Sequence, residues 1–306
     1  MLTHLPVAAE HDGKRLDALL HGLDCEGLGP LSRHAARALC ELGAIAVGGV
    51  RATAQQRVRA GDRVQWAPAF AELGLDLQVP VVFADDAVVV LHKPPGLAVH
   101  GGPLVEHSVA DALALELPGA GLAHRLDREA SGLLLVGRDA PALEALGAAM
   151  ERGDVEREYL AIAAGVIEQE RRTIDLPLRV TDEPRGNRPK TVVEAEGQRS
   201  VSHVQVEARR KDSTLVRVRL ETGRTHQIRA HLAAVGHALL GDPRYGDEAA
   251  NAKARATFGV TRTLLHGTRL SFPHPRSGER VEVHAVHEPD FVRLFPHLRQ
   301  RRETQD

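Results

Sequence analysis

Between Ala123 and Gly132 the chain gathers a histidine, two arginines, an aspartate, a glutamate and a serine immediately ahead of the apolar run Leu133 to Val136. A polar loop feeding a buried strand is a common seat for catalytic groups, because the strand fixes the backbone while the loop reaches a cleft. A second delivery of this kind follows. Leu215 to Leu220 alternates apolar and basic residues, as a half-buried strand does, and hands over to Thr222-Gly223-Arg224-Thr225-His226-Gln227-Ile228-Arg229. Gly223 ends the strand there, and Thr225 is placed to cap a helix running to Val235. One loop thus offers a carboxylate and the other arginines. From Arg171 to Leu232 there are fourteen Lys/Arg and eight Asp/Glu, a local excess whose natural partner is a polyanion. Solvated strand and helix faces are the plain alternative.

The whole chain has 306 residues, 43% hydrophobic and 26% charged, a globular composition too long for one small core. About two domains are expected, and disordered and fibrous classes are excluded. The formal net charge of −2 means that any polyanion must be met by a local patch. Cys25 and Cys40 cannot build a disulfide framework and lack the paired spacing of a structural zinc site. No apolar run reaches membrane-spanning length, and the opening residues do not read as a signal peptide. A cytoplasmic protein without a membrane partner is expected.

The elements fall into two groups. Leu16, Leu19, Leu20 and Leu23 recur at helical spacing until Gly22 and Gly27 to Pro30 break the pattern. Ser32 is placed to cap a second helix that Gly43 stops, with Arg33 and Arg37 on its outer face. Ala44 to Val47 and Val50 to Thr53 then read as strands joined by a tight Gly48-Gly49 turn. This order resembles the small RNA-binding module first known from a ribosomal small-subunit protein, over residues 13–66. The residues that carry the likeness are Arg15-Leu16-Asp17, Leu31-Ser32-Arg33, Leu42 to Val47 and Ala60-Gly61-Asp62-Arg63-Val64. It implies RNA contacts through Arg15, Arg33 and Arg37. Residues 1–67 hold eight Lys/Arg against seven Asp/Glu, so attraction to phosphate must come from how the charges are arranged.

A linker is expected at 67–79. Beyond it, Val79 to Phe83 and Val88 to Leu91 read as strands around the Asp85-Asp86 turn, and Lys93-Pro94-Pro95-Gly96 forces a stiff turn. Asp139-Ala140-Pro141 opens a helix through Met150. From about Val81 to Val283 the chain resembles the pseudouridine synthases of the ribosomal large-subunit type. The resemblance places the catalytic aspartate of His124-Arg125-Leu126-Asp127 at Asp127, and the active-site tyrosine of Arg157-Glu158-Tyr159-Leu160-Ala161 at Tyr159. It places the aspartate's basic partner at Arg224 and an apolar cleft residue at Ile228. Lys93 to Gly96 and Gly241-Asp242-Pro243-Arg244-Tyr245-Gly246 match two further family segments, while Ala130 stands where the family commonly has threonine. Substrate contacts are expected from His124, Arg125, Ile228 and Arg229. Arg125 would fill the gap in the RNA stack or hold a phosphate, and His124 would fix its loop.

The implied chemistry breaks the bond between ribose and uracil nitrogen, turns the base and rejoins it through carbon 5. It involves no net redox change, so no cofactor and no metal are expected. A carboxylate is needed as nucleophile at the sugar carbon or as the base that starts glycal formation. In a cleft that excludes water such a group needs a facing cation to stay ionised. The implied fold is α+β: a mixed, largely antiparallel sheet in a catalytic domain at 80–297, behind a small α/β RNA-binding domain, with a tail at 298–306. The expected partner is large-subunit ribosomal RNA, engaged by a monomer. The alternatives are a transfer-RNA pseudouridine synthase and a non-catalytic RNA-binding ribosome-assembly protein. A metal hydrolase using His92, His100, His107 and His124 is disfavoured by spacing: His226 and His231 are five apart, on different helix faces, and no His-Glu-x-x-His pattern occurs.

Overall fold

A computed structural model describes residues 3–21, 33–41, 45–66, 79–101, 108–181 and 190–299. Ser32, Gly43, His107 and most of the expected linker and tail lie outside them. Near the N-terminus, β1 (Thr3–Pro6), α1 (Leu16–His21), α2 (Arg33–Glu41), β2 (Ile45–Val47), β3 (Val50–Arg51) and β4 (Arg63–Trp66) form one unit. Its antiparallel sheet has the order β1-β4-β2-β3 and so recruits residues ahead of position 13. Gly48 and Gly49, at φ 58° and 74°, make the tight turn that their lack of a side chain permits. Leu16, Leu20, Ile45, Val58, Val64 and Trp66 close the core, each such burial stabilising by roughly 1.5–3 kcal/mol.

The second unit begins with β5 (Val81–Ala84), β6 (Val88–Lys93), α3 (Val109–Glu116), β7 (Gly121–Leu122) and β8 (Ser131–Gly137). Ser108 and Asp111 start α3 as a reciprocal capping box. Helix α4 (Ala140–Arg152) begins as the sequence predicts, with the Asp139 carboxylate accepting from Ala142 N, and ends on left-handed Gly153. Strands β9 (Glu156–Ala164), β10 (Arg171–Asp175), β11 (Leu178–Thr181), β12 (Lys190–Val193), β13 (Val201–Arg209) and β14 (Ser213–Leu220) follow. Then come α5 (Gln227–Ala234), α6 (Glu248–Phe258), β15 (Leu265–Pro273), β16 (Arg280–His284) and α7 (Pro289–Leu294).

Ten of these strands form one sheet, ordered β10-β13-β14-β9-β15-β8-β6-β5, with β16 joined to β15 and β7 to β8; β11 and β12 pair separately. Every pairing in it is antiparallel except β15 with β8, which makes the domain the mixed, largely antiparallel α+β fold expected. The parallel contact has a steric cause. Gly132, at φ 118°, lies against the backbone of Gly267, where any Cβ would collide. That approach seats the end of the 124–131 loop in the middle of the sheet.

The two units meet through β3. His287 N donates to Gly49 O at 2.7 Å, and Arg51 N donates to His287 O at 2.9 Å. Arg51 Nη1 lies 3.6 Å from Glu288 Oε2, and the opposite oxygen of that buried carboxylate is 3.3 Å from His92 Nε2. Burial alone would raise the Glu288 carboxyl, but His92, His266 and Arg51 hold it well below the usual range.

Candidate active site

Lys93 is fully buried, and its Nζ donates to Pro94 O, Leu97 O and Arg128 O at 2.8, 2.9 and 3.1 Å. Three carbonyls satisfy the three donors of an ammonium, although burial pushes the group down to about 7. Gly96 N donates to Arg128 O, and Arg128 Nε donates back to Gly96 O. The stiff Lys93-to-Gly96 turn and the 124–131 loop are therefore tied together around Asp127. On the other side of the loop, His124 Nε2 accepts from Leu135 N at 3.0 Å. That bond fixes the tautomer, and burial drives the imidazole down to about 3, so His124 is neutral and braces its loop.

The cation that meets the aspartate is not Arg224. Arg229 Nη1 donates to Asp127 Oδ2 at 2.9 Å, while its Nε and Nη2 reach Asp242 Oδ2 and Oδ1 at 2.7 and 2.8 Å. Arg224 instead points its Nε at Arg199 O, 3.4 Å away at the surface. The cause lies in how the helix starts. Thr225 does not cap the helix; His226 takes the N-cap position at φ 54°, the one positive φ among described non-glycine residues, and the helix starts at Gln227. Gln227 Oε1 accepts from Arg224 N and Thr222 Oγ1, turning Arg224 outward and Arg229 inward.

Arg229 is 6% exposed and Asp242 wholly buried. Burial would lower this guanidinium, but Asp242 and Asp127 reverse the effect and raise it. Asp242 is fixed in turn by Arg244 N and Tyr245 N. The Arg229 guanidinium lies 5.0 Å from the Tyr245 ring centre, and the Tyr245 hydroxyl bridges Thr191 N and His226 Nδ1. His226 Nε2 is 4.0 Å from Asp127 Oδ1; burial lowers this imidazole despite the pull of Asp127.

A cleft of about 490 Å³ joins these groups, lined among others by His124, Arg125, Asp127, Tyr159, Arg224 and Ile228. Tyr159 is largely buried at its wall, and burial pushes the hydroxyl up, with Arg157 drawing it back, so it is a neutral phenol. Six of the seven expected catalytic and substrate residues line the cleft, and Arg229 stands behind it holding Asp127. The supports missed in the sequence are Lys93, His226, Asp242 and Tyr245. A proline- and glycine-flanked Asp242-Pro243 reads as a turn, and nothing local shows that the carboxylate is buried.

In the first unit, Arg15 and Arg37 converge on buried Asp17, at 2.8 and 3.0 Å, and hold its carboxyl at about 2. Both remain about half exposed, and Arg33 is exposed. Of the histidines weighed as metal ligands, His92 sits with His266 and Glu288, away from the cleft. Both His266 nitrogens are already engaged, by Ser131 Oγ and Val286 O.

A model of the RNA pseudouridylate synthase family matches residues 87–234, and one of the S4 domain matches residues 27–64. Ribosomal large subunit pseudouridine synthase C of Pasteurella multocida is 34% identical over 74% of this chain and 70% of its own length. Ribosomal large subunit pseudouridine synthase D of Vibrio cholerae is 37% identical, covering 74% and 72%. Among solved structures, human RNA pseudouridylate synthase domain containing 1 superposes with a TM-score of 0.56 at 25% identity, covering 68% of this chain and 82% of that one. The fold and cleft are those of an isomerase acting on RNA. The chain belongs to the RNA pseudouridine synthase family and carries an S4 domain.

Proposed function

We propose that this chain isomerises uridines of large-subunit ribosomal RNA, with residues 13–66 docking the RNA and 80–297 performing the reaction, as a cytoplasmic monomer. The observation that carries the site assignment is Asp127 on the cleft wall, held by Arg229 and braced by a rigid two-loop support. An everted uridine stacks on Tyr159, and Ile228 closes the apolar side. Arg125, exposed at the rim, is free to occupy the space the base leaves. The Asp127 carboxylate then attacks the sugar carbon or withdraws the proton that starts glycal formation. In either case the carbon–nitrogen bond breaks and the base turns. Carbon 5 then bonds to the sugar carbon as the aspartyl–sugar bond breaks, or as the withdrawn proton returns to the sugar. The carbon 5 proton is lost while the freed nitrogen gains one, so the carboxylate is regenerated and the product is an isomer. The Tyr159 phenol faces that step as a neutral group. The named targets of the bacterial relatives support ribosomal over transfer RNA.

The test is pseudouridine mapping of ribosomal RNA from a strain lacking the chain, complemented with the native chain or with Asp127→Asn. Specific positions should lose modification and regain it only with the native chain. Unchanged ribosomal positions would overturn the target assignment, and full rescue by Asp127→Asn would overturn the role of the aspartate.

A further inference from the structure

Arg157 and Tyr159 are two apart on β9, so their side chains leave the same face of the sheet, and both line the cleft. Other arginines nearby are engaged: Arg229 by two carboxylates, Arg217 and Arg269 by glutamates, Arg128 and Arg224 by carbonyls, while Arg125 stands exposed at the rim. The Arg157 side chain makes no hydrogen bond or ion pair with any described residue, and its Nε is a buried donor with no acceptor among them. A buried donor without an acceptor calls for a partner, which in an open cleft is an ordered water or a ligand atom. Room for the guanidinium comes from Gly223, where a Cβ would stand 2.6 Å from Arg157 Nη1. Among the described residues no carboxylate competes for it. Glu221 is committed to Arg199 at 2.6 Å, and Glu151, exposed at the rim, forms no ion pair with it.

We propose that Arg157 binds a backbone phosphate of the nucleotide whose base stacks on Tyr159. The assignment rests on the reading of this cleft as the uridine site. One strand repeat separates the two side chains, about 6.6 Å, which is of the order of the span from a base to the phosphate of its own nucleotide. A planar guanidinium presents paired donors that match two phosphate oxygens. His124 beside it is neutral, so the anion is met by Arg157 and not by an imidazolium.

The experiment compares the full-length chain with Arg157→Ala and Arg157→Lys. The substrate is total RNA from a strain lacking the chain, so the reaction is read whichever RNA carries the target. Arg157→Ala should raise KM about tenfold or more with kcat within threefold. It should also reduce the slope of log affinity against log salt by about one, the signature of a lost phosphate contact. Arg157→Lys should restore that slope and part of the affinity. An unchanged slope with a large fall in kcat would overturn the proposal in favour of a contact to the base. Unchanged KM and slope in a folded Arg157→Ala would overturn it outright. If modification occurs only in the transfer-RNA fraction, the ribosomal target falls while Arg157 is still judged by the same slope.

Discussion

Replacing Arg229 tests whether the aspartate is positioned as the geometry states. The guanidinium spends three donors on two carboxylates, one of them completely buried. A hydrogen bond to a charged group contributes roughly 1.5–3 kcal/mol, so loss of the bond to Asp127 should slow the chemical step by about 10- to 150-fold. Stability should also suffer, because Asp242 would keep a buried charge without a partner, costing about 3–5 kcal/mol. Arg229→Lys retains the charge, but one ammonium cannot reproduce a fork on Asp242 and a third bond on Asp127, so its rate should fall at least tenfold. The two effects separate in the double variant Arg229→Met/Asp242→Asn. It removes both charges of the buried pair, and should regain most of the melting temperature while remaining slow. Single-turnover pseudouridine formation reports the first effect and thermal denaturation the second. The reasoning is refuted if the double variant recovers its rate along with its melting temperature, or if Arg224→Ala slows the step as much as Arg229→Lys does.

Gly132→Ala should destabilise by about 2–4 kcal/mol, since it adds a left-handed backbone penalty to a collision with Gly267, and a drop in urea midpoint would show it. Glu288→Gln should cost about 3 kcal/mol at neutral pH by leaving His92 and Arg51 without their anion. The folded carboxyl is depressed, so its stabilisation is present above the unfolded value of 4.5 and is lost as the pH falls below it. The native-minus-variant difference in unfolding free energy should therefore shrink as the pH is taken from 5 down to 3; a difference constant across that range would contradict the ion-pair account. Tyr159→Ala should weaken RNA binding by the roughly 1–3 kcal/mol of one stacked base, whereas Tyr159→Phe should bind as the native chain does. The kcat of Tyr159→Phe then shows whether the hydroxyl itself matters.

What the sequence could show and what it could not divides along one line: whether a side chain's environment is built locally. The strands around Asp127 were legible because alternation and apolar runs are properties of neighbours, and Gly48-Gly49 and Asp139-Ala140-Pro141 state their own turn and cap. The choice between Arg224 and Arg229 was not local. Shifting a helix start by one residue turns its face by about 100°, and that shift depends on His226 entering the left-handed region under the hold of Tyr245, nineteen residues away. The burial of Lys93 and Asp242 was invisible for a related reason. A lysine or aspartate is almost never fully buried without partners, so its burial is decided by carbonyls and a guanidinium that the fold supplies from elsewhere. The same holds for Arg37, read as a solvent face yet drawn, together with Arg15, onto Asp17. In each case the misjudged residue belongs to a polar cluster closed across the chain. Asp127 is thus fixed less by its own motif than by Lys93, which holds the carbonyl of the next residue, and Arg229, which bonds its carboxylate.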